Sequence, residues 1–346
     1  MTISVLIPAY NAARTIEATL ASVFRQTVQP DEIIVLWDGG TDDTLERIER
    51  FKDRIVIARQ ENCGVAMTRN RLVEMAKGEI LAFLDNDDLW HPKYLEVQRA
   101  LMRDYPEALA SFCGHVDFAG ADYVWRQEPD TDCVNAEWIN QVDFIKRYFF
   151  GIGLFASMSF ACVRKSAMNR MGPEPFQFSG ADDRYLFYRV SLFGGIVFFR
   201  SPLVAYRLSE GSLSTNCLHG AQNSVKACEK VAPEFQKSDV KGLRAAFPPI
   251  YAVTRRSYAK LLLGAGQPVE ARHQLLQSMA NCRQAASVGR SLGMWALTWL
   301  PSFLQPKWPA PMRQAIGVVG CPQTSSPAVG RGGFRNEEGR PPGSAP

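Results

Sequence analysis

The stretch Gly78–Pro92, GEILAFLDNDDLWHP, passes from an apolar run into Asp85, Asn86, Asp87 and Asp88 within a few residues. Along an extended strand, residues two apart point the same way. Asp85 and Asp87 are therefore expected to converge, while Asn86 and Asp88 face away or cap the next helix. Two convergent carboxylates form a hard-oxygen site suited to Mg²⁺ or Mn²⁺, with water and phosphate oxygens completing an octahedron. A cation held there neutralises a diphosphate and acts as a Lewis acid for a leaving nucleotide. An acidic turn before a helix has the same composition, because Asp and Asn are ordinary turn and N-cap residues.

Two other polar clusters also end apolar runs. In IIVLWDGGTDDT, Asp38 precedes Gly39 and Gly40, which let the backbone turn sharply. A carboxylate at that position can accept a hydrogen bond from the imide N–H of a uracil or thymine; a plain turn accounts for the residues equally well. In IPAYN, Tyr10 offers an aromatic face on which a base can stack, with Asn11 beyond it. The start of a helix is the other account of that cluster.

The elements around these clusters alternate. ISVLIPAY, DEIIVLWDGG, DRIVIARQ and EILAFLDN read as strands. ARTIEATLASVFRQT, TDDTLERIERF, VAMTRNRLVEMAKG and PKYLEVQRALMRDYP read as the intervening helices, the third closed by Gly78 and the fourth with Pro92 near its first turn. Strands apolar on both faces and linked by helices predict a mostly parallel sheet covered on both sides, an α/β fold. Such sheets bind ligands outside the carboxyl ends of their strands, so the three polar clusters are expected in one crevice. Farther on, ALASFCGHVDFAG and GGIVFFRSPLVAYRLS read as strands and DRYLFYRVSLFG as a helix. The small residues of GIGLFASMSFACVR suggest a chain passing close to a ligand or another backbone. From about residue 216 the pattern is helical.

The chain has 346 residues, 46% of them hydrophobic, enough for a sizeable core. A net charge of +4 is too mild to mark a nucleic-acid binder. The eight cysteines are scattered singly, without zinc spacing, and reduced thiols in the cytoplasm are their simplest account. MTISVLIPAYN reads as a first strand and not as a signal peptide. The run within SLGMWALTWLPSFLQPKW falls short of the roughly 20 residues that span a bilayer. It reads as a core helix or as an interfacial segment over 290–308, a peripheral membrane contact with Trp295, Trp299 and Trp308 at headgroup level beside Arg290 and Lys307. The Pro-, Gly- and Ser-rich residues 316–346 are expected to form a disordered tail.

Taken together, VLIPAYNAARTIEATLASVFRQTVQPDEIIVLWDGGTDDT and NCGVAMTRNRLVEMAKGEILAFLDNDDLWHPKYLE resemble the nucleotide-sugar half of the family 2 glycosyltransferases, over roughly residues 3–105. A weaker likeness continues through FSGADDRYLFYRVSLFGGIVFFRSPLVAYRLSEGSLS. The resemblance implies a GT-A (nucleotide-diphospho-sugar transferase) domain over 1–215, with a nucleotide-binding half over 1–108 and an acceptor half over 109–215. A helical C-terminal extension, 216–315, would follow. Pro8, Tyr10 and Asp38 would hold the base, and Asn11 and Arg69 would also lie at the nucleotide. Asp85-Asn86-Asp87 matches the family's DxD motif, with Asp87 the direct metal ligand and Asp85 supporting the ribose or the metal. Asp182-Asp183 stands where the family has a Glu-Asp pair, and Asp183 would be the general base.

That base has its own physical sense. In an inverting transfer an acceptor hydroxyl attacks the anomeric carbon opposite the nucleotide and needs a carboxylate within reach to take its proton. Capping and dipole compensation are the other uses of an acidic pair opening a helix. Four positions depart from the family pattern: Trp37 replaces a usual aspartate, Gly40 a serine, Asp182 a glutamate and Ser209 a histidine. The expected activity is an inverting, metal-dependent, hexosyltransferase-type transfer from a nucleotide-sugar donor, UDP- or dTDP-linked, in cell-surface polysaccharide synthesis. The acceptor would be a glycan or a lipid-linked glycan, and the enzyme would be cytoplasmic or peripheral on the inner membrane face. The non-catalytic alternative is a degenerate nucleotide-sugar-binding protein. A sugar nucleotidyltransferase is disfavoured, because IPAYNAARTIE lacks a glycine-rich basic loop.

Overall fold

The computed structural model describes residues 1–120, 122–125, 128, 136–151, 154, 157–208, 216–282 and 285–299. Its first half follows the alternation read from sequence: β1 (Ile3–Ala9), α1 (Ile16–Phe24), β2 (Glu32–Asp38), α2 (Thr44–Glu49), β3 (Val56–Gln60), α3 (Val65–Met75), β4 (Ile80–Phe83), β5 (Leu89–Trp90) and α4 (Tyr94–Asp104). Then come β6 (Ala110–Phe118), β7 (Ala136–Ile139), α5 (Gln141–Phe150), β8 (Ala161–Arg164), α6 (Lys165–Arg170), α7 (Asp182–Phe193) and β9 (Ile196–Arg207). Helices α8 (Cys217–Lys237), α9 (Leu243–Gly264), α10 (Pro268–Asn281) and α11 (Ala285–Leu297) follow.

The strands form one mixed sheet in the order β3-β2-β1-β4-β8-β6-β9-β5, with β7 also paired to β9. The first four strands run parallel, and β8 enters antiparallel between β4 and β6. The chain winds outward from β1 through β2 to β3, then returns to β4 on the other side of β1. That reversal opens a crevice at the carboxyl ends of β1 and β4.

Both faces are covered, as the apolar strands require. Val5 and Ile7 of β1 and Val35 of β2 pack with Ile16, Leu20, Ile48 and Tyr94 of α1, α2 and α4. Leu6, Leu36 and Phe83 face the other way, against Leu72 of α3 and Leu186, Phe187 and Val190 of α7. Each such fully buried side chain contributes about 1.5–3 kcal/mol. Helices α8–α10 share a third core with α5 and α7, where Phe149 stacks on Tyr188 at 4.1 Å.

Several sequence readings change. Strand β4 ends at Phe83, so Asp85–Asp88 form a turn closed by Asp88 N donating to Asp85 O at 3.2 Å. The alternation that was to separate Asp85 and Asp87 from Asn86 and Asp88 does not apply there. Helix α3 ends at Ala76, and Gly78 instead lies against β1, where its N–H donates to Ser4 Oγ at 2.7 Å. The small residues of GIGLFASMSFACVR include β8, a buried strand that pairs on both edges, hence its short Ala161 and Cys162. Strands β5 and β7 and helices α5 and α6 were not read from sequence. Ser209, Trp308 and residues 316–346 lie outside the described residues.

A Cβ at Gly78 would meet Ser4 N at 2.6 Å and Ser4 Oγ at 2.5 Å. Gly78→Ala should therefore cost about 1–3 kcal/mol through overpacking. A denaturant midpoint equal to that of the wild type would show that the contact relaxes freely.

Candidate functional site

Three loops leave the carboxyl ends of β1, β2 and β4 and are tied together by two asparagines. Asn11, in the left-handed region at φ 46°, accepts from Thr41 N through Oδ1 at 2.8 Å. Gly40 leaves room for that bond, because a Cβ there would meet Asn11 Oδ1 at 2.5 Å. This accounts for a glycine where serine was expected. Asn86 Nδ2 donates to Pro8 O at 3.1 Å, joining the acidic turn to the end of β1. Tyr10 stands beside these contacts with its ring 46% exposed, open to a stacking partner.

Asp38 is buried and holds the loop that leads into α3. Its Oδ1 accepts from Gln60 Nε2 at 2.7 Å and Cys63 N at 2.9 Å, and its Oδ2 from Gly64 N at 3.0 Å. Each carboxylate oxygen offers two lone pairs, so Oδ2 keeps capacity for one further N–H. A shallow cleft of about 390 Å³ opens next to it, lined by Trp37, Gly39, Arg59, Gln60, Glu61 and Asn62.

The centre of the site is Arg69 on α3. Its NH1 donates to Asp182 Oδ2 and its NH2 to Asp85 Oδ1, two ion pairs around a guanidinium that is almost fully buried. Burial opposes the charge, but Asp85 and Asp182 more than offset it and hold the guanidinium above its ordinary range. One arginine thus bridges the acidic turn after β4 and the first residue of α7, which lie 97 residues apart in sequence (182 − 85). The pair Asp182-Asp183 opens α7, but Ala181 is the N-cap and neither carboxylate caps it. Asp182 Oδ1 accepts from Gly180 N at 3.2 Å instead.

Asp183 is half-buried beside this bridge, and its Oδ1 accepts from Arg184 N at 2.6 Å. Burial and the adjacent Asp182 carboxylate push its pKa up to about 6, against the weaker pull of Arg184 and Arg69. Its charge state therefore changes close to neutral pH.

The acidic turn is clamped from the far side by Arg207, at the end of β9. Arg207 N donates to Asp88 Oδ1 at 2.8 Å and Nε to Asp87 O at 2.7 Å, and the guanidinium lies over the Phe118 ring at 4.5 Å. Ser159 Oγ accepts from Asp85 N at 3.0 Å, and Ser159 O accepts from Trp90 Nε1 at 2.9 Å. Asp88 is thus a buried strut of the turn and not a helix cap; the following helix starts at Tyr94 with Lys93 as its N-cap. Its Oδ2 is buried without a hydrogen-bond partner. Burial, then the charges of Asp87 and Asp85, push the Asp88 carboxyl well above the usual carboxylate range.

This donor set fits a hard divalent cation. Three carboxylates crowd one turn, an excess of negative charge that a cation relieves, and Asp87 lies at the partly exposed rim. Among the described residues there is no group of three or more His, Cys, Asp or Glu arranged to cage a metal. Mg²⁺ and Mn²⁺ are commonly held in just this way, by one or two carboxylates with water and phosphate oxygens completing the shell. Asp85 is engaged by Arg69, and Asp87 is partly exposed at the rim of the turn.

Sequence reading brought Pro8, Tyr10, Asn11, Asp38, Arg69, Asp85, Asp87, Asp182 and Asp183 forward, and all lie around this crevice. It missed Arg207, Ser159, Gln60 and the bridging role of Asn86. Arg207 carried a signal, a charged residue ending the apolar run SPLVAYR, just as Asp38 ends the run of β2. Ser159 carried none.

Residues 4–172 match the family model described as Glycosyl transferase family 2. Over those residues, just under half of its length, the chain carries that family's pattern. Its Asp182 and Asp183 lie beyond the matched range, so their place at the site comes from the geometry of α7. Among similar proteins is the UDP-Glc:alpha-D-GlcNAc-diphosphoundecaprenol beta-1,3-glucosyltransferase WfaP of Escherichia coli, 44% identical over 90 residues, 25% of this chain and 36% of WfaP. Glycosyltransferase GlyG of Streptococcus pneumoniae serotype 4 is 27% identical over 223 residues, 61% of this chain and 72% of GlyG. The first relatives it matches are covered over less than half their own length. The fold is shared with S. aureus TarS 1–349 in complex with UDP-GlcNAc (TM-score 0.65, 16% identity, 86% of this chain and 90% of that one). It is also shared with the mannosyltransferase PcManGT from Pyrobaculum calidifontis in complex with GDP-Man and Mn²⁺ (TM-score 0.55, 19% identity, 91% and 86%).

Removing Arg69 leaves two carboxylates facing each other without a counter-charge. Arg69→Met should cost about 3–5 kcal/mol, the range for breaking a buried ion pair. Arg69→Lys should recover only part of this, since one ammonium cannot reproduce two guanidinium contacts. Thermal melts of the three proteins check the order; equal melting temperatures for Met and wild type would remove Arg69 from the centre of the site.

Proposed function

We propose that this chain is an inverting glycosyltransferase that moves a sugar from a uridine or thymidine diphosphate donor to a glycan or lipid-linked glycan, in the making of a cell-surface polysaccharide. The observation that supports it most is the double ion pair of Arg69. It gathers the Asp85–Asp88 turn and the start of α7 at one crevice, so a candidate diphosphate site and a carboxylate of raised pKa are neighbours.

In this reading the base rests on Tyr10 and is held by the remaining acceptor capacity of Asp38, whose rigid mounting on Gln60, Cys63 and Gly64 keeps it in place. Asp87, with Asp85 beside it, would hold Mn²⁺ or Mg²⁺, which supplies charge neutralisation for the departing nucleoside diphosphate. Asp183 accepts the proton of the acceptor hydroxyl as its oxygen bonds to the anomeric carbon and the carbon–phosphate-oxygen bond breaks. Asp182 is a positioning residue, held by Arg69 and Gly180 N, and its charge helps keep Asp183 basic enough to take a proton near neutrality.

Asp183→Asn should lower turnover of a UDP- or dTDP-sugar by about 100-fold or more, the scale of a lost general base. Nucleotide binding with Mn²⁺, read by calorimetry, should persist; normal turnover would exclude Asp183 as the base. Asp87→Ala should weaken Mn²⁺-dependent nucleotide binding instead, and unchanged affinity would remove its metal role.

Because Asp183 works as the carboxylate, kcat/KM should rise with pH and level off above about 6, the value set by its burial and by Asp182. The same raised pKa means that the folded state holds a proton the unfolded chain has already released. Asp183 therefore lowers stability as pH climbs from the ordinary carboxylate range to about 6. At pH 7 the Asn variant should melt at a higher temperature than the wild type while being the poorer enzyme, and a lower melting temperature would contradict the assigned direction.

A further inference from the structure

Helix α11 is built inside out. Its buried positions include Ser287 and Ser291, with Thr298 just past its end, whereas its outward positions include Arg290, Leu292 at 52% exposure and Ala296, with Trp299 past its end at 62%. A helix packed on a soluble core normally presents the reverse pattern. The inward polarity has a partner: the buried Arg256 of α9 donates to Ser287 Oγ at 2.7 Å, with Ser278 and Ser291 hydroxyls at 3.4 Å. Ser278 and Ser291 also share a hydrogen bond at 3.0 Å. The helix is thus held to α9 and α10 by a serine-lined arginine, with Met294 and Trp295 packing at the flank. Its rotation about its own axis is fixed by that polar lock, and the apolar stripe is left on the outside.

The neighbouring helix extends the same surface. Val269 and Leu276 of α10 are 72% and 49% exposed and lie one i,i+7 step apart on one side of that helix. Arg272, between them in sequence, lies over the Trp299 ring at 4.1 Å, and Trp295 and Trp299 pack edge to face at 5.7 Å. The surface therefore combines aliphatic side chains, an exposed tryptophan and an arginine.

Charge points to the occupant. From Ala271 to Asn336 the sequence contains no aspartate or glutamate, while Arg272, Arg290, Lys307 and Arg313 fall within that stretch. The stretch holds seven lysines and arginines in all, so the rest of the chain, in which acids outnumber bases, is net −3 against a total of +4. An apolar, aromatic face set in an acid-free cationic stretch complements an anionic bilayer surface, where the rings lie at headgroup depth and the cations pair with lipid phosphates. Among the described residues no helix is long and apolar enough to cross a membrane, so the contact is along the surface. We propose that the α10–α11 face, centred on Leu292 and Trp299, docks on anionic phospholipid and carries the catalytic domain on the bilayer. This contact is independent of the sugar-transfer reading, because none of its residues takes part in the site around Arg69.

The test is flotation of the full chain with vesicles of phosphatidylcholine alone or with roughly one-third phosphatidylglycerol, an anionic fraction strong enough to attract basic surface segments. The wild type should float with the anionic vesicles, should release as salt is raised, and should show a blue-shifted tryptophan emission when bound. The double variant Leu292→Ser/Trp299→Ser removes two exposed side chains and should keep the wild-type circular dichroism. It should need about tenfold more lipid for half-maximal binding, the scale expected for losing two partly inserted apolar groups. Absence of binding to anionic vesicles, or equal binding by wild type and variant, overturns the proposal. Self-association in sedimentation velocity that the double variant abolishes, without vesicle binding, would overturn it too and assign the face to a second copy of the chain.

Discussion

One buried cation organises this protein's working surface. Arg69 lies under the crevice between β1 and β4 with a carboxylate on each arm, Asp85 from the turn after β4 and Asp182 from the start of α7. Neither partner is near the other in sequence, and removing the guanidinium would leave both carboxylates without the counter-charge between them. A lysine could neutralise the same charge but could not direct two forked donors at two separate acceptors. The relative position of the acidic turn and the acidic helix start therefore depends on one side chain.

Around that bridge the charges form a gradient of availability. Asp88 is enclosed and tied to Arg207 N, Asp85 is spent on Arg69, and Asp87 stands at the partly exposed rim. On the other side Asp182 is held by Arg69, which leaves Asp183 beside a like charge and with a raised pKa. Two acidic clusters of similar composition thereby differ, member by member, in how far each carboxylate is enclosed and in what holds it.

The sheet supplies the rigid frame. Parallel β1, β2 and β4, buried on both faces, bring their carboxyl ends to one rim, and Asn11 and Asn86 bind the loops there into a single surface. Much of this was legible in the chain, because strands apolar on both faces and helices with one apolar side have few other ways to pack. The later strands were harder to read. β8 is four residues long and β5 only two, and both are held by partners distant in sequence, so no local periodicity announces them. Gly78 looked like a helix terminator because glycine commonly ends helices; it is required instead by the close approach of β1. Asp85–Asp88 looked like the end of a strand, but Asp88 closes a turn there and meets β9.

The sequence by itself determined the α/β class, the alternation of the first four strands and helices, and the acidic and aromatic residues that gather at their ends. These depend on periodicity and on side-chain chemistry, both of which are local. The tertiary structure alone decided which carboxylates Arg69 holds, that Asp38 is mounted on Gln60, Cys63 and Gly64, and that Arg207 braces the acidic turn. It alone decided, too, that α11 turns its serines inward onto Arg256 and its leucine and tryptophan outward. Each of these outcomes is a pairing between groups far apart along the chain, and a pairing of that kind acquires its energy only when folding brings both partners out of water together.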